Sequence, residues 1–405
     1  MMGVRQVGLR TVSKTVVLGG SIPLTPANPK KKWYRREATI SPLSSWGEDL
    51  MVAVAQWVRA SGCGPEGCGF EFRQLPHNVE RYRKVKLENI GFYTLSDSRA
   101  KNASMSTPLW RCELLLTDKC NFSCPYCRGM RKDFRGTLTY DEAKFVVDAW
   151  LTEGLKNIRF SGGEPTLWKG LDRLVSYCRD RGVDRVAIST NGSADTEYYI
   201  KLYEAGVNDF SMSLDACCAS VGDYMAGGIN GAWEKVIKNI RILSKLTYVT
   251  VGMVFTDENI LQVVDSVKFA SSLGVSDIRV VPSAQFNEAL VDLDSLDDEF
   301  LSKHPILSYR IRNVRKLRNV RKMQDGDSKK CRLALDDMDV VGGYHFPCII
   351  YLREGGNPIG KVGSKTRQER AEWVEKHDSW SDPICREMCL DVCIDYNNVA
   401  NYECG

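Results

Sequence analysis

From Arg111 onward the chain alternates short apolar runs with longer stretches of helical period. "RCELLLT", residues 111–117, has the length and composition of a buried strand. "TYDEAKFVVDAWLTEG" then places apolar residues at helical spacing, with Thr139 positioned as an N-cap and Gly154 closing the helix. The alternation continues through the strand "NIRFSGG", the helix "LDRLVSYCRDRG", the strand "DRVAISTNG", the helix "DTEYYIKLYEAG" and the strand "DFSMSLD". "GAWEKVIKNIRILSKL", "YVTVGMVFT", "NILQVVDSVKFASSLG" and "DIRVVPS" complete it as helix, strand, helix and strand. Six strands separated by helices predict an α/β fold, a parallel sheet covered by helices on one side and curled towards a partial barrel. In such folds the loops at the carboxyl ends of the strands carry function.

Upstream the pattern fades. Residues 1–85 show little sustained period apart from "DLMVAVAQWVRA", and "VAQWVRASGCGPEGCGFEFRQLPH" reads like a tRNA gene translated as protein. The expectation is a disordered or wrongly assigned extension over 1–85, a working start near "KVKLENIGFYTLSD", and a lead-in segment over 86–107. Cys63 and Cys68 could form half a zinc site, but no second ligand pair sits beside them. The first twenty residues are basic and free of acids, as in a transit segment, yet lack a convincing cleavage site.

Composition narrows the class. In 405 residues, 43% apolar, no run reaches the ~20 residues that span a bilayer. The net charge of +4 is unevenly spread: residues 1–86 carry 14 Lys/Arg against 6 Asp/Glu, leaving 41 against 45 in the rest. The motif-bearing part is mildly acidic, which gives nucleic-acid binding no electrostatic support. The fifteen cysteines cluster as C-x3-C-x2-C and C-x3-C-x3-C, a pattern of metal binding in a reducing compartment, so the expected location is the cytoplasm.

The first cluster, "CNFSCPYC", puts Cys120, Cys124 and Cys127 just after the first strand. A cubane iron–sulfur cluster takes four thiolates, so a loop of three leaves one iron open. "SGGEP" ends the second strand, "STNGS" the third and "SMSLD" the fourth, and "VGMVFTDEN" spans the end of the fifth. This set resembles the radical SAM superfamily, whose C-x3-C-x2-C loop follows the first strand of a partial (β/α)6 barrel. The resemblance implies a [4Fe-4S] cluster whose free iron chelates S-adenosylmethionine. One electron then cleaves the sulfonium to give a 5′-deoxyadenosyl radical, which abstracts hydrogen from a substrate. It further implies SAM contacts from Gly162, Gly163, Glu164, Ser189, Asn191, Ser213 and Asp215, and from backbone near Val254. A flavodoxin- or ferredoxin-type electron donor is implied as partner. One departure is visible: "SLDACCASVGDYMAGG" keeps Asp223 but lacks the arginine that many relatives offer to the SAM carboxylate, and it places Cys217 and Cys218 there instead.

After the barrel, Cys331 and Cys348 frame a C-x11-G-x4-C pattern through Gly343, followed by Cys385, Cys389, Cys393 and finally Cys404. This partly resembles SPASM or Twitch extensions, and implies one auxiliary iron–sulfur cluster held by Cys331, Cys348 and two of Cys385, Cys389 and Cys393. A structural zinc is the alternative. The spacing of four puts the last three on one face if the segment is helical. The expected division is therefore a core domain over 108–325 and a Cys-rich auxiliary domain over 326–405. The basic stretch "YRIRNVRKLRNVRK", 309–322, reads as the solvated face of the last barrel helix or as a grip for an acidic substrate. His304 and His345 are given no catalytic role. Three functions stay open: radical modification of a peptide or protein side chain, radical modification of a nucleotide or nucleobase, and a non-catalytic iron–sulfur or zinc protein.

Overall fold

Six parallel strands form where the alternation predicts them: β1 Arg111–Thr117, β2 Asn157–Gly162, β3 Arg185–Thr190, β4 Asp209–Ser213, β5 Tyr248–Phe255 and β6 Asp277–Pro282. The computed structural model describes residues 98–134, 136–282 and 288–401. The expectations placed on 1–85, on Cys63 and Cys68, on residues 86–97 of the lead-in and on Cys404 lie outside the described residues. The connecting helices are α1 Tyr140–Thr152, α2 Leu171–Asp180, α3 Thr196–Ala205, α4 Ala219–Met225, α5 Ala232–Leu243 and α6 Val263–Ser272. Thr139 caps α1 in a full capping box with Glu142. The short helix α4 went unread because its sequence has no apolar stripe.

Strand alternation gives the sheet two unlike faces. Cys112, Leu114, Ile158, Phe160, Val186, Ile188, Phe210, Met212, Val251 and Val280 point to one side and join the main core. The register places Glu113, Arg159, Ala187 and Asp209 side by side on the other, with Ser211 and Thr250 next along the strands. The helices therefore pack on the apolar face, and the opposite face is polar. The sheet stays open, in keeping with a partial barrel.

The sheet does not end at the last predicted strand. Its order is β6-β5-β4-β3-β2-β1-β7-β8-β9, where β7 Asp337–Val341 runs parallel to β1 and turns through Gly342 and Gly343 into antiparallel β8 Tyr344–Phe346. Both glycines have positive φ (55° and 77°), the conformation of a tight hairpin turn, so the "GG" carries a signal for these strands. β9 is the two-residue Gly360–Lys361. Short helices α7 Glu288–Asp292 and α8 Asp298–Ser302 lead to α9 Pro305–Arg315, and α10 Ile349–Arg353, α11 Thr366–Lys376, α12 Pro383–Met388 and α13 Asp391–Asn401 complete the chain.

Two arginines on α11 hold this extension in place. Arg370, fully buried, donates to the carbonyls of Ala334 (2.7 Å), Phe346 (2.9 Å) and Asp337. Arg367 donates to the carbonyls of Leu335 (2.7 Å), Met105 (2.6 Å) and Thr107 (2.6 Å), tying the lead-in to the same knot. The basic stretch is largely spent on pairing: Arg310 meets buried Asp391, Arg315 meets Asp294 (2.5 Å) and Arg318 meets Asp327 (3.1 Å). Among the described residues no helix is long and apolar enough to cross a membrane. Replacing Arg370 by Met strands several buried carbonyls and is expected to lower unfolding stability by about 2–4 kcal/mol. Urea denaturation checks this; a midpoint equal to that of the unsubstituted protein contradicts it.

Candidate active site

The cysteine loop leaves β1 and is pinched shut at its base. Asp118 N–H donates to Gly136 O (3.0 Å), Leu138 N–H to Leu116 O (2.9 Å), and the Thr117 and Thr137 hydroxyls meet at 2.8 Å. The end of β2 lies directly against the loop's first residues. A Cβ on Gly162 would stand 2.3 Å from Thr117 O, and one on Gly163 would stand 2.3 Å from Lys119 O. Only glycine allows that approach. Gly163 N–H donates to Thr117 O (2.7 Å) and Glu164 N–H to Lys119 O (2.8 Å). On the other flank, Gly227, with φ at +92°, passes Ser123, whose N–H donates to Ala226 O (3.3 Å).

Glu164 is wholly buried, and its carboxylate accepts four hydrogen bonds. Thr166 N–H (3.1 Å), Thr166 Oγ1 (2.6 Å) and Thr190 Oγ1 (2.7 Å) reach Oε1, and Asn191 N–H reaches Oε2 (2.7 Å). Burial raises its pKa, and these donors oppose the rise. The carboxylate thereby fastens the end of β3 to the turn after β2. Asn191 then touches the loop itself: its Nδ2 donates to Asn121 Oδ1 (2.9 Å) and lies 3.8 Å from Cys120 Sγ.

Asp215 makes a second tie. Tyr126 OH donates to its Oδ2 (2.6 Å), and Val254 N–H donates to its Oδ1 (2.7 Å). Asn259 Nδ2 donates to the carbonyls of both Asp215 (2.8 Å) and Val254 (2.9 Å). Burial pushes the Asp215 carboxyl up to about 6. Through Tyr126 the loop is thus joined to the ends of β4 and β5. Sequence reasoning missed Tyr126, Thr190 and Asn259, although each stands inside a motif it had quoted. Ser213 is exposed and Ser189 half-buried, both on the polar face of the sheet. Asp223 accepts from the N–H groups of Gly231 and Trp233 (2.8 Å each) and so fixes the start of α5. Cys217 and Cys218 are both buried.

Two of the loop thiols resist ionisation. Burial raises Cys120, with Glu164 and Cys127 adding to it, and lifts Cys124 to about 12, helped by Asp215 and Cys127. Thiols this reluctant become thiolates only beside a strong cation. Among the described residues, the trio His377, Asp382 and Cys385 is the only set of three ligand atoms within 4.8 Å of one another. The three loop thiols are therefore spread wider than the ~4 Å spacing of thiolates on one tetrahedral zinc.

A second group of thiols gathers in the extension. Cys331, Cys348, Cys385, Cys389 and Cys393 line one pocket with Leu333, Ile350, Trp373 and Ile394. Cys331 precedes the 3-10 turn Arg332–Leu335, and Cys348 caps α10, its sulfur accepting from Tyr351 N–H (3.4 Å). The last three do not share one helix. Pro383, preceded by the capping residue Asp382, opens α12; Cys389 falls in extended backbone after it, and Cys393 lies in the first turn of α13. Buried Asp391 secures that break through Arg310 and through Asn313 Nδ2 (2.9 Å). The extension also braces the first loop: Arg131 donates to Gly356 O (2.6 Å), and the Phe134 ring packs against Phe346 at 5.2 Å. His304 bonds Ser271 (2.8 Å), and His345 sits buried beside Glu369 (3.1 Å).

Residues 114–270 match the model of the Radical SAM superfamily. GTP 3′,8-cyclase of Staphylococcus saprophyticus is 31% identical over 194 residues, 45% of this chain and 52% of that protein. GTP 3′,8-cyclase of Staphylococcus aureus strain Newman is 28% identical over 194 residues, with the same two shares of 45% and 52%. The chain thus spans about half the length of the curated relatives it matches. Among solved structures, SuiB of Streptococcus suis bound to precursor peptide SuiA aligns with a TM-score of 0.50 at 15% identity, over 83% of this chain and 79% of that one. Native anSMEcpe with bound AdoMet aligns with a TM-score of 0.51 at 15% identity, over 72% and 96%. At such identities the structural likeness establishes the fold. The three-thiol loop, the strand-end motifs packed round it and the family match agree: residues 114–270 are a radical SAM superfamily domain, the catalytic module of enzymes that use a [4Fe-4S] cluster together with S-adenosylmethionine.

Proposed function

We propose that this protein is a radical SAM enzyme that modifies a peptide or protein side chain, with an auxiliary iron–sulfur cluster in its C-terminal thiol pocket. The observation that carries the reading is the convergence of the ends of β2, β3, β4 and β5 on the Cys120–Cys127 loop. When bound, the cluster supplies the electron that splits SAM into methionine and a 5′-deoxyadenosyl radical, which takes a hydrogen from the substrate.

The chain's own residues do the holding. Cys120, Cys124 and Cys127 are the cluster ligands. Gly162 and Gly163 bring the backbone of the β2 turn against the loop, where it can meet the methionine end of SAM. Glu164 and Asp215, their oxygens engaged by the protein, act by fixing that turn, the end of β3 and the Val254 backbone. Ser189, Asn191 and Ser213 are the polar groups left to address ribose or carboxylate. The substrate would lie against the polar face of the sheet. A flavodoxin- or ferredoxin-type protein is the proposed electron source.

A peptide substrate is supported by the partial SPASM-like cysteine pattern and by neighbours of the same fold that were solved with peptides. A nucleotide substrate is the second reading, favoured by the GTP 3′,8-cyclase relatives and by the charge of Arg159, Arg185 and Arg279 near buried Asp209 on the polar face. Faster 5′-deoxyadenosine formation with added nucleoside triphosphates, and not with peptides, would move the proposal to this second reading.

Anaerobic reconstitution followed by dithionite and SAM should release 5′-deoxyadenosine, and Cys124→Ala should abolish it; retained cleavage in that variant would falsify the ligand assignment. The reconstituted protein should hold about eight irons per chain, falling to about four in Cys389→Ala while SAM cleavage persists at least in part. Four irons in both would remove the auxiliary cluster. Gly163→Ala drives a methyl group into Lys119 O and is expected to cut cleavage at least roughly tenfold with the far-UV dichroism unchanged. Full activity there would show that the close approach is dispensable.

A further inference from the structure

Five thiols line the C-terminal pocket, one more than a cubane takes. Cys385 stands apart from the other four in belonging to a compact set of three unlike ligand atoms. His377 Nε2 lies 3.4 Å from Cys385 Sγ, and a carboxylate oxygen of Asp382 lies within 4.8 Å of both.

From this we infer that His377, Asp382 and Cys385 form a separate mononuclear site for a divalent transition metal, zinc in the first instance, beside the auxiliary cluster. The inference rests on the proposed auxiliary cluster only in assigning the other four thiols. The donor set of imidazole, carboxylate and thiolate is one that zinc accepts, with bonds of about 2.0–2.3 Å. Tetrahedral angles at such bond lengths put the nitrogen and sulfur roughly 3.6 Å apart, close to the 3.4 Å observed.

The surroundings hold the three side chains in place. The His377 ring stacks on Trp373 at 4.0 Å and 17°, and meets the edge of Tyr351 at 6.1 Å. Asp382 Oδ1 accepts the N–H groups of Ile384 (2.8 Å) and Cys385 (3.0 Å), and Oδ2 accepts Tyr351 OH (2.9 Å). These bonds orient the carboxylate and leave it lone pairs for a cation. Lys330 is turned away, its ammonium spent on the carbonyls of Val374, Glu375 and His377. Three protein ligands leave a fourth position for water or for a substrate group.

Metal analysis of the anaerobically reconstituted full chain, equilibrated with zinc and desalted, tests the site. The expected result is one zinc per chain in addition to iron, lost in His377→Ala and in Cys385→Ser with the iron content unchanged. Cobalt should replace zinc and give the near-ultraviolet thiolate-to-cobalt band, absent from both variants. Loss of about four irons in Cys385→Ser would make Cys385 a cluster ligand and overturn the proposal, as would no bound zinc in the unsubstituted protein or zinc retained in both variants. If iron stays near four per chain in every form, the auxiliary cluster fails while the zinc result still decides this site.

Discussion

The close passage of one backbone turn over another sets the rest of the site. Gly162 and Gly163 let the exit of β2 lie on residues 117–119, where any side chain would collide with a carbonyl oxygen. That contact fixes where the cysteine loop begins. Glu164, buried beneath it with four donors, converts a flexible turn into a joint between β2 and β3. A buried carboxylate is costly unless fully bonded, so the same group that stabilises the joint would disrupt it if one donor were lost. Asp215 plays the matching part on the far side, through Tyr126 and Val254.

The C-terminal extension belongs to this arrangement physically as well as in sequence. β7 pairs with β1, the strand that delivers the cysteine loop, so the thiol pocket and the loop share one sheet. Arg370 and Arg367 spend their donors on backbone carbonyls around that junction, and Phe134 and Arg131 of the loop rest on the extension. The extension is therefore joined to the first loop by direct contacts. Burial, with neighbouring thiols adding to it, raises Cys124 of the first group and Cys389 of the second, so each would ionise only with a cation beside it.

Much of the core was legible because its signals are local. The six strands, the five longer helices between them, the cap at Thr139 and the three-cysteine loop all follow from short patterns of burial and spacing. What stayed hidden depends on contacts between distant residues. The engagement of Glu164 and Asp215 by protein donors joins residues 26 to 89 positions apart and has no periodic trace. The strands β7 and β8 left little trace in the sequence although Gly342 and Gly343 mark their turn, because they are only five and three residues long. The single helical face expected for Cys385, Cys389 and Cys393 gave way to two helices because Pro383 and the buried Asp391 impose separate starts. His377 drew no notice, since nothing in its sequence neighbourhood predicts that it meets Cys385.

The central claim is that three thiolates hold a cluster and leave one iron for an incoming sulfonium compound. Electron paramagnetic resonance of the dithionite-reduced, fully loaded protein, recorded with and without SAM, tests it most directly. The account predicts that SAM shifts the signal of the cluster bound by Cys120, Cys124 and Cys127, and that Cys124→Ala loses that signal. Superimposable spectra with and without SAM, from protein shown to carry its full complement of iron, would contradict it.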